Sequence, residues 1–288
     1  MLPRISQVEC QDADYLLFST GDAISNVLYR TGKWEEHLLE ISKFMISTVE
    51  RPLVLDIGAN LGAYSIPLAK HIQGVGGEVY GFEPQRIVYY QFCGNIFLNR
   101  LDNCHAIYGA VGDVMGEVEI PEIDYENNLN IGAFSLEKKY RELQGVEGSV
   151  KKMARKVPLI NLDSLEMDRP PSIIKIDVEG SELSVLKGGS EFLSRNNYPP
   201  LLLEVWNYEW FESDKRQLMS YVAQLGYEVV HVGASDYVAQ HPENSRKVDF
   251  QVDGSGIIRM SSRLLKYSCR QRESAALVAA LPDFHFVF

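Results

Sequence analysis

The sequence predicts an α/β protein built on a mostly parallel sheet with helices on both faces. Three observations predict it. Short apolar runs alternate with helix-like stretches between residues 53 and 233. The runs are continuously apolar, as strands buried on both faces are. The first of them turns through glycines straight into a helix, "VLDIGANLGAYSIPLA" at 54–69.

The elements follow in order. Residues 1–50 read as a mixed, then helical segment: "HLLEISKFMISTVE" (37–50) has apolar residues at 38, 39, 41, 44, 45, 46 and 49, the spacing of an amphipathic helix. Pro52 starts a new element. A strand at 53–58, a helix at 63–72 with Pro67 near its first turn, a strand at 77–84, a helix at 86–100 and a strand at 104–112 come next. An insert over about 114–160 breaks the alternation. Its "GEVEIPEIDYENNLNIGAFSL" (116–136) reads as a hairpin or flap, and 155–165 as another extended piece.

Alternation resumes with a strand at 172–180 and a helix at 181–195, where Ser181 is the expected cap and Glu182 sits near the positive end of the dipole. A strand at 200–206, a helix at 213–226 capped by Ser213 or Asp214 and closed by Gly226, and a strand at 227–233 complete the domain, 51–254. The extension, 255–288, contains "SSRLLKYSCRQRESAALVAALPDF", which predicts a C-terminal helix.

Composition narrows the function. The chain has 288 residues and a formal charge of −11, a poor match to a nucleic-acid backbone. The one basic cluster, "KKMARK" (151–156), reads as a solvated loop. Four cysteines are scattered without a CxxC pair, which fits free thiols in a reducing compartment. The first residues lack a signal pattern and no apolar run is long enough to span a bilayer, so a cytoplasmic protein is expected.

The glycine turn excludes two ligands. Gly58 and Gly62 are four apart, without the middle glycine of a G-x-G-x-x-G dinucleotide fingerprint, which argues against a nicotinamide oxidoreductase. No P-loop lysine follows Gly62, and Asp56 is unsuited to a phosphate. Glu83 ends the second strand 21 residues after Gly62, about where dinucleotide folds place the acid that binds ribose hydroxyls. The set fits a cationic nucleoside.

Four stretches in register, "VLDIGANLGAYSIPLA", "VYGFEP", "IKIDVEGSELSVLKGG" and "LLLEVW", together resemble the FkbM-type S-adenosylmethionine-dependent methyltransferases, as does the upstream "DAISNVLYRTGKWEE" (22–36). The resemblance covers about 20–250. It implies a Rossmann-like class I methyltransferase fold with a seven-stranded sheet, and O-methyl transfer to a hydroxyl of a sugar or glycan. A small natural product is the alternative acceptor; a binding protein without turnover is the non-enzymatic alternative. It implies that Asp56 and the Gly58–Gly62 backbone face the amino-acid part of S-adenosylmethionine. Asn60 then bonds the ligand carboxylate or buttresses the turn, Glu83 holds the ribose, and Asp113 borders the adenine.

For an alcohol acceptor a base or a metal is needed. Asp177 and Glu204 end neighbouring strands, where together they suit a divalent ion, Mg or Mn, and singly a general base. Glu179 and His231 are further candidates, and Lys175 is either an ion-pair partner of Asp177 or a catalyst. Asn130, Gly132 and Ser135 in the insert resemble a family stretch bordering the acceptor. Trp206, Tyr208, Trp210 and Phe211 are either core or a face for a sugar ring.

Overall fold

The computed structural model describes residues 3–19, 22–125, 131–132, 134–145, 147–252, 258–262 and 278–279. The chain opens with a hairpin, β1 (Ile5–Glu9) and β2 (Asp14–Phe18), then α1 (Ala23–Thr31) and α2 (Glu36–Ile46). Asp22 caps α1 by accepting from the Ser25 amide, and Gly32, at φ 69°, closes it. Then come β3 (Leu53–Ile57), α3 (Ser65–Gln73), β4 (Glu78–Glu83), α4 (Arg86–Leu98) and β5 (Cys104–Tyr108). The insert supplies β6 (Ala110–Val111), β7 (Gly116–Ile123), α5 (Lys138–Leu143) and β8 (Val150–Ile160). The second half is β9 (Ile173–Ile176), α6 (Glu182–Lys187), α7 (Ser190–Arg195), β10 (Leu201–Glu204), α8 (Glu212–Gln224), β11 (Glu228–His231) and β12 (Asp236–Gln240). Last are β13 (Val248–Val252), β14 (Ile258–Ser262) and β15 (Val278–Ala279).

Seven strands form the central sheet in the order β11-β12-β10-β9-β3-β4-β5. Only β12 runs against its neighbours; β10, β9, β3, β4 and β5 pair in parallel. The order reverses between β3 and β9. In open α/β sheets a ligand binds at such a switch point, outside the carboxyl ends of the strands.

Alternating side chains of β3 feed two cores. Val54 packs with Leu38, Ile41, Ile66 and Phe92 on the α2–α3–α4 face. Leu55 and Ile57 pack with Val185, Phe192 and Leu218 on the α6–α8 face. Each such fully buried side chain contributes about 1.5–3 kcal/mol. The N-terminal segment is part of this packing, since α2 shares the first core.

Several local expectations are corrected. Ser181 makes no side-chain cap; the Glu182 carboxylate instead accepts from the amides of Val178 and Gly180. The helix expected at 181–195 divides into α6 and α7 at Gly188, where a Cβ would lie 2.1 Å from the Gly112 carbonyl oxygen. Ser213 and Asp214 lie inside the first turn of α8, and Asp214 accepts from the Tyr140 hydroxyl. The flap strand β7 pairs with β8, so "KKMARK" lies in a strand, with Arg155 on Glu122 and Lys156 on Glu117. In the expected C-terminal helix, 261–262 belong to strand β14 and 278–279 to strand β15, while 263–277 and 280–284 lie outside the described residues. Cys10, Cys93 and Cys104 are free.

Candidate functional site

The switch point is a place where backbones touch. The Asp177 amide donates to the Ile57 carbonyl at 2.9 Å, continuing the β3–β9 ladder beyond the strand ends. Gly58, at φ +90°, follows; a Cβ there would sit 1.7 Å from the Asp177 carbonyl oxygen. Only glycine fits on both counts. The amides of Gly58 and Ala59 donate to the Phe82 carbonyl at 3.0 and 2.9 Å, tying the turn to β4. Gly62 serves packing: its missing side chain leaves room for the Phe92 ring, 2.5 Å from where a Cβ would be.

Glu83 faces this turn. Its two carboxylate oxygens accept from the Asn60 amide at 2.9 Å and the Gln85 amide at 2.7 Å. Burial nevertheless pushes its pKa up to about 8, with the two amides pulling the other way. Asn60 stands in the left-handed region at φ 52°, and its side-chain oxygen accepts from the Leu61 amide, which buttresses the turn. Asp56 is fully buried. One oxygen accepts from the Ser65 hydroxyl at 2.6 Å, bracing the start of α3; the other has no partner among the described residues. Burial raises its pKa.

The second half of the site lies at the ends of β9 and β10. One oxygen each from Asp177, Glu179 and Glu204 can be chosen so that all three lie within 4.8 Å of one another. Lys175 Nζ is 2.7 Å from Asp177. Burial opposes the lysine's charge, but Asp177, Glu35 and Asp56 outweigh it and hold its pKa well above the ordinary value. Burial also opposes ionisation of Asp177, yet Lys175 and a hydrogen bond with Glu204 hold its pKa below the usual range. Glu179 and Glu204 go the other way: burial, then the Asp177 charge, raises both well above ordinary carboxyls. One environment thus separates an ionised aspartate from two proton-holding glutamates. Ser235 donates to Glu204 at 3.1 Å.

Aromatic residues border the acids. Glu179 is left-handed at φ 54°, and Trp206 works against the burial that raises its pKa. Trp206 and Phe211 are buried in the core, in edge contact with Tyr140. Tyr208 is 38% exposed and stacks on Trp210 at 4.8 Å and 12°. Glu179 and Glu204 both raise the Tyr208 pKa after burial does, which places its ring near the acids.

Other expected residues lie apart. Asp113 is exposed and bonds the Ser184 hydroxyl on α6. His231 is exposed on β11, two strands beyond β10, against Tyr237 and the Ala234 carbonyl. Ser135 is buried, and its hydroxyl accepts from the Glu137 amide. Gly132 packs against the Asn60 amide group. Asn130 lies outside the described residues. Glu35, His37 and Asp236 reach the site without having been expected there. His37 Nε2 is 2.8 Å from Asp236, which is opposite Glu204 in the sheet register. Glu35 belongs to the "GKWEE" stretch ahead of the domain, which was its sequence signal; His37 and Asp236 had none. A cavity of about 580 Å³ lies elsewhere, at the amino ends of the strands, and includes Arg51, Arg169 and Arg246.

The model of the Methyltransferase FkbM domain matches residues 56–229, more than half of the chain. The chain belongs to the FkbM methyltransferase family. The sheet of this FkbM protein is the expected Rossmann-like class I arrangement. Among solved structures it is similar to the FkbM methyltransferase from Methylobacillus flagellatus, with 19% identity and a TM-score of 0.45, over 66% of this chain and 44% of that one. It thus spans less than half the length of that protein. It is also similar to a precorrin-6y C5,15-methyltransferase from Geobacter metallireducens (12% identity, TM-score 0.41, 71% of this chain and 88% of that one). A third is a tRNA (uracil-54, C5)-methyltransferase from Pyrococcus abyssi, solved with S-adenosyl-L-homocysteine (13% identity, TM-score 0.42, 82% of this chain and 44% of that one). No curated protein matches the sequence. Among the described residues, no helix is long and apolar enough to cross a membrane.

Proposed function

We propose that this FkbM protein is an S-adenosylmethionine-dependent O-methyltransferase acting on a hydroxyl of a sugar or glycan. One observation carries the reading. Glu83 beside the Gly58 turn, and the Asp177–Glu179–Glu204 cluster beside the exposed Tyr208, occupy the carboxyl ends of adjacent strands. The first set suits a ribose, the second a polyhydroxyl acceptor with an apolar ring face.

S-adenosylmethionine supplies a methyl group already activated on a sulfonium. The chain supplies orientation and a place for the proton. Asp56, Asp177 and Glu35 face Lys175 as their cation, an excess of negative charge that suits a cationic ligand. Asp177 is the fitting proton acceptor: Lys175 and a hydrogen bond with Glu204 hold it ionised, while Glu179 and Glu204 keep their protons. As the acceptor oxygen bonds to the methyl carbon and the carbon–sulfur bond breaks, the hydroxyl proton passes to this cluster. A divalent ion, the second reading, would take oxygens from Asp177, Glu179 and Glu204. Lys175 already supplies positive charge at Asp177, which favours the base.

The test is transfer of labelled methyl from S-adenosylmethionine to a panel of mono- and oligosaccharides, with and without chelator. Labelled sugar that survives chelation is the expected result. Label only on small natural products would move the acceptor class. Calorimetry showing NAD but not S-adenosylmethionine binding would overturn the reading.

A further inference from the structure

The N-terminal segment lies outside the matched residues 56–229, yet it delivers a carboxylate to the switch point. Glu35 immediately precedes α2. Its backbone is left-handed, φ 43° and ψ 43°, a conformation a glutamate adopts at a cost of about 1–3 kcal/mol. Its carbonyl accepts from the amides of Leu38 and Leu39, so the strained residue starts the helix. The His37–Asp236 contact, 199 residues apart in sequence, pins this corner to β12. The Glu35 side chain is charge-coupled to Lys175 and Asp177 on β9, Asp236 on β12 and His37 on α2, and Tyr64 at the start of α3 senses it. Its Oε2 is closed from solvent and has no hydrogen-bond partner among the described residues. A strained backbone held in place, presenting an unsatisfied carboxylate beside the ligand turn, is a group that the fold alone does not explain.

S-adenosylmethionine has two cationic groups: a sulfonium without N–H donors and, at its amino-acid end, an ammonium with three. An unsatisfied carboxylate oxygen on the β9 side of β3, away from Glu83 on β4, matches the ammonium. There Lys175 is already paired with Asp177. We propose that Glu35 is a ligand-binding residue for the amino-acid end of S-adenosylmethionine, receiving N–H donors of its ammonium group. This rests on the methyltransferase reading above.

The experiment compares two neutral thioethers that differ only at that end: S-adenosylhomocysteine and 5′-methylthioadenosine, titrated by calorimetry into the full chain and into Glu35→Gln and Glu35→Asn. Asparagine tolerates the left-handed backbone, so the second variant protects against misfolding of the first. The expected result is a loss of about tenfold or more for S-adenosylhomocysteine, the scale of a charged hydrogen bond, with methylthioadenosine unchanged within about twofold. Equal weakening of both ligands, or of neither, would overturn the assignment. If the wild-type chain binds neither compound, the methyltransferase reading fails and this inference with it. Binding of both by the wild type keeps the two questions separate.

Discussion

The two rims of the central sheet are built from opposite materials. The carboxyl rim carries Asp56, Glu83, Asp177, Glu179 and Glu204, mostly buried or half-buried, with Lys175 between Asp56 and Asp177. The amino rim carries Arg51, Arg169 and Arg246 around a cavity of about 580 Å³. At the amino rim charges are neutralised conventionally: Arg169 pairs with Glu78 at 2.8 Å and Asp168 at 2.7 Å. At the carboxyl rim, carboxyls are displaced from their ordinary pKa in both directions, and one oxygen of Asp56 has no partner among the described residues. Volume and chemistry are therefore separated in this molecule. Unsatisfied, charge-shifted groups mark the site better than the size of the hollow does.

The strongest way to break that contrast is Asp177→Asn. It removes the ionised member of the cluster while keeping its shape, and it leaves Lys175 without its nearest counter-ion. Turnover in the labelled-methyl assay is expected to fall by about 10²–10⁴-fold. Turnover within threefold of wild type would move the chemistry away from the β9 end. Gly58→Ala comes next, because its Cβ would collide with the Asp177 carbonyl at 1.7 Å in a backbone that disfavours it. Destabilisation of about 2 kcal/mol or more is expected in urea unfolding. A smaller change would mean that β3 and β9 separate easily at the switch point.

A pH profile sharpens the contrast further. Glu83 has its pKa raised from 4.5 to about 8, so the folded chain holds a proton that the unfolded chain releases. The favourable contribution is full below about pH 4.5 and is lost as pH rises through about 8. The ligand-free protein should therefore melt at a lower temperature at pH 8.5 than at pH 6. Glu83→Gln should flatten that slope without abolishing it, since Glu35 and Glu182 are raised to about 7 by burial. An unchanged slope would show that Glu83 is solvated, and would weaken its fit to a ribose.

How much of this was legible in sequence depends on whether the partner was local. Asp56, Glu83, Asp177 and Glu204 each end or interrupt an apolar run, and a carboxylate in that position needs a reason, so these strand ends could be read directly. Glu35 drew no reading of its own within 22–36, because its companions on β9 and β12 are over a hundred residues away. Strand β12, "DYVAQ", is short and half polar, and it went unread although it completes the sheet and holds Asp236. The same limit produced the errors. Ser181 satisfies the local rule for a cap, but the longer Glu182 side chain reaches back to the same turn's amides. The basic run 151–156 looked solvated because Glu117 and Glu122, its partners on β7, lie some thirty residues earlier. Cross-strand charge pairs leave no periodicity in one strand alone.

The smallest effect is expected at the other rim. Arg246 is tied by one long side-chain hydrogen bond, to the Pro171 carbonyl at 3.5 Å, and burial lowers its pKa. Arg246→Ala removes a long side chain from the wall of the cavity and leaves the neighbouring Asn244 bonds to the Asn197 and Tyr198 carbonyls intact. Stability should change by less than about 1 kcal/mol, as for a partly exposed side chain with one weak bond. Methyl transfer should stay within about twofold of wild type, since no group at this rim reaches the reacting atoms. A severalfold fall in turnover with an unchanged melting temperature would join the two rims functionally. The sheet would then be a continuous body able to carry the coupling, because Ser172, in the cavity wall, donates its amide to the Leu53 carbonyl at the start of β3, and β3 runs on to Gly58.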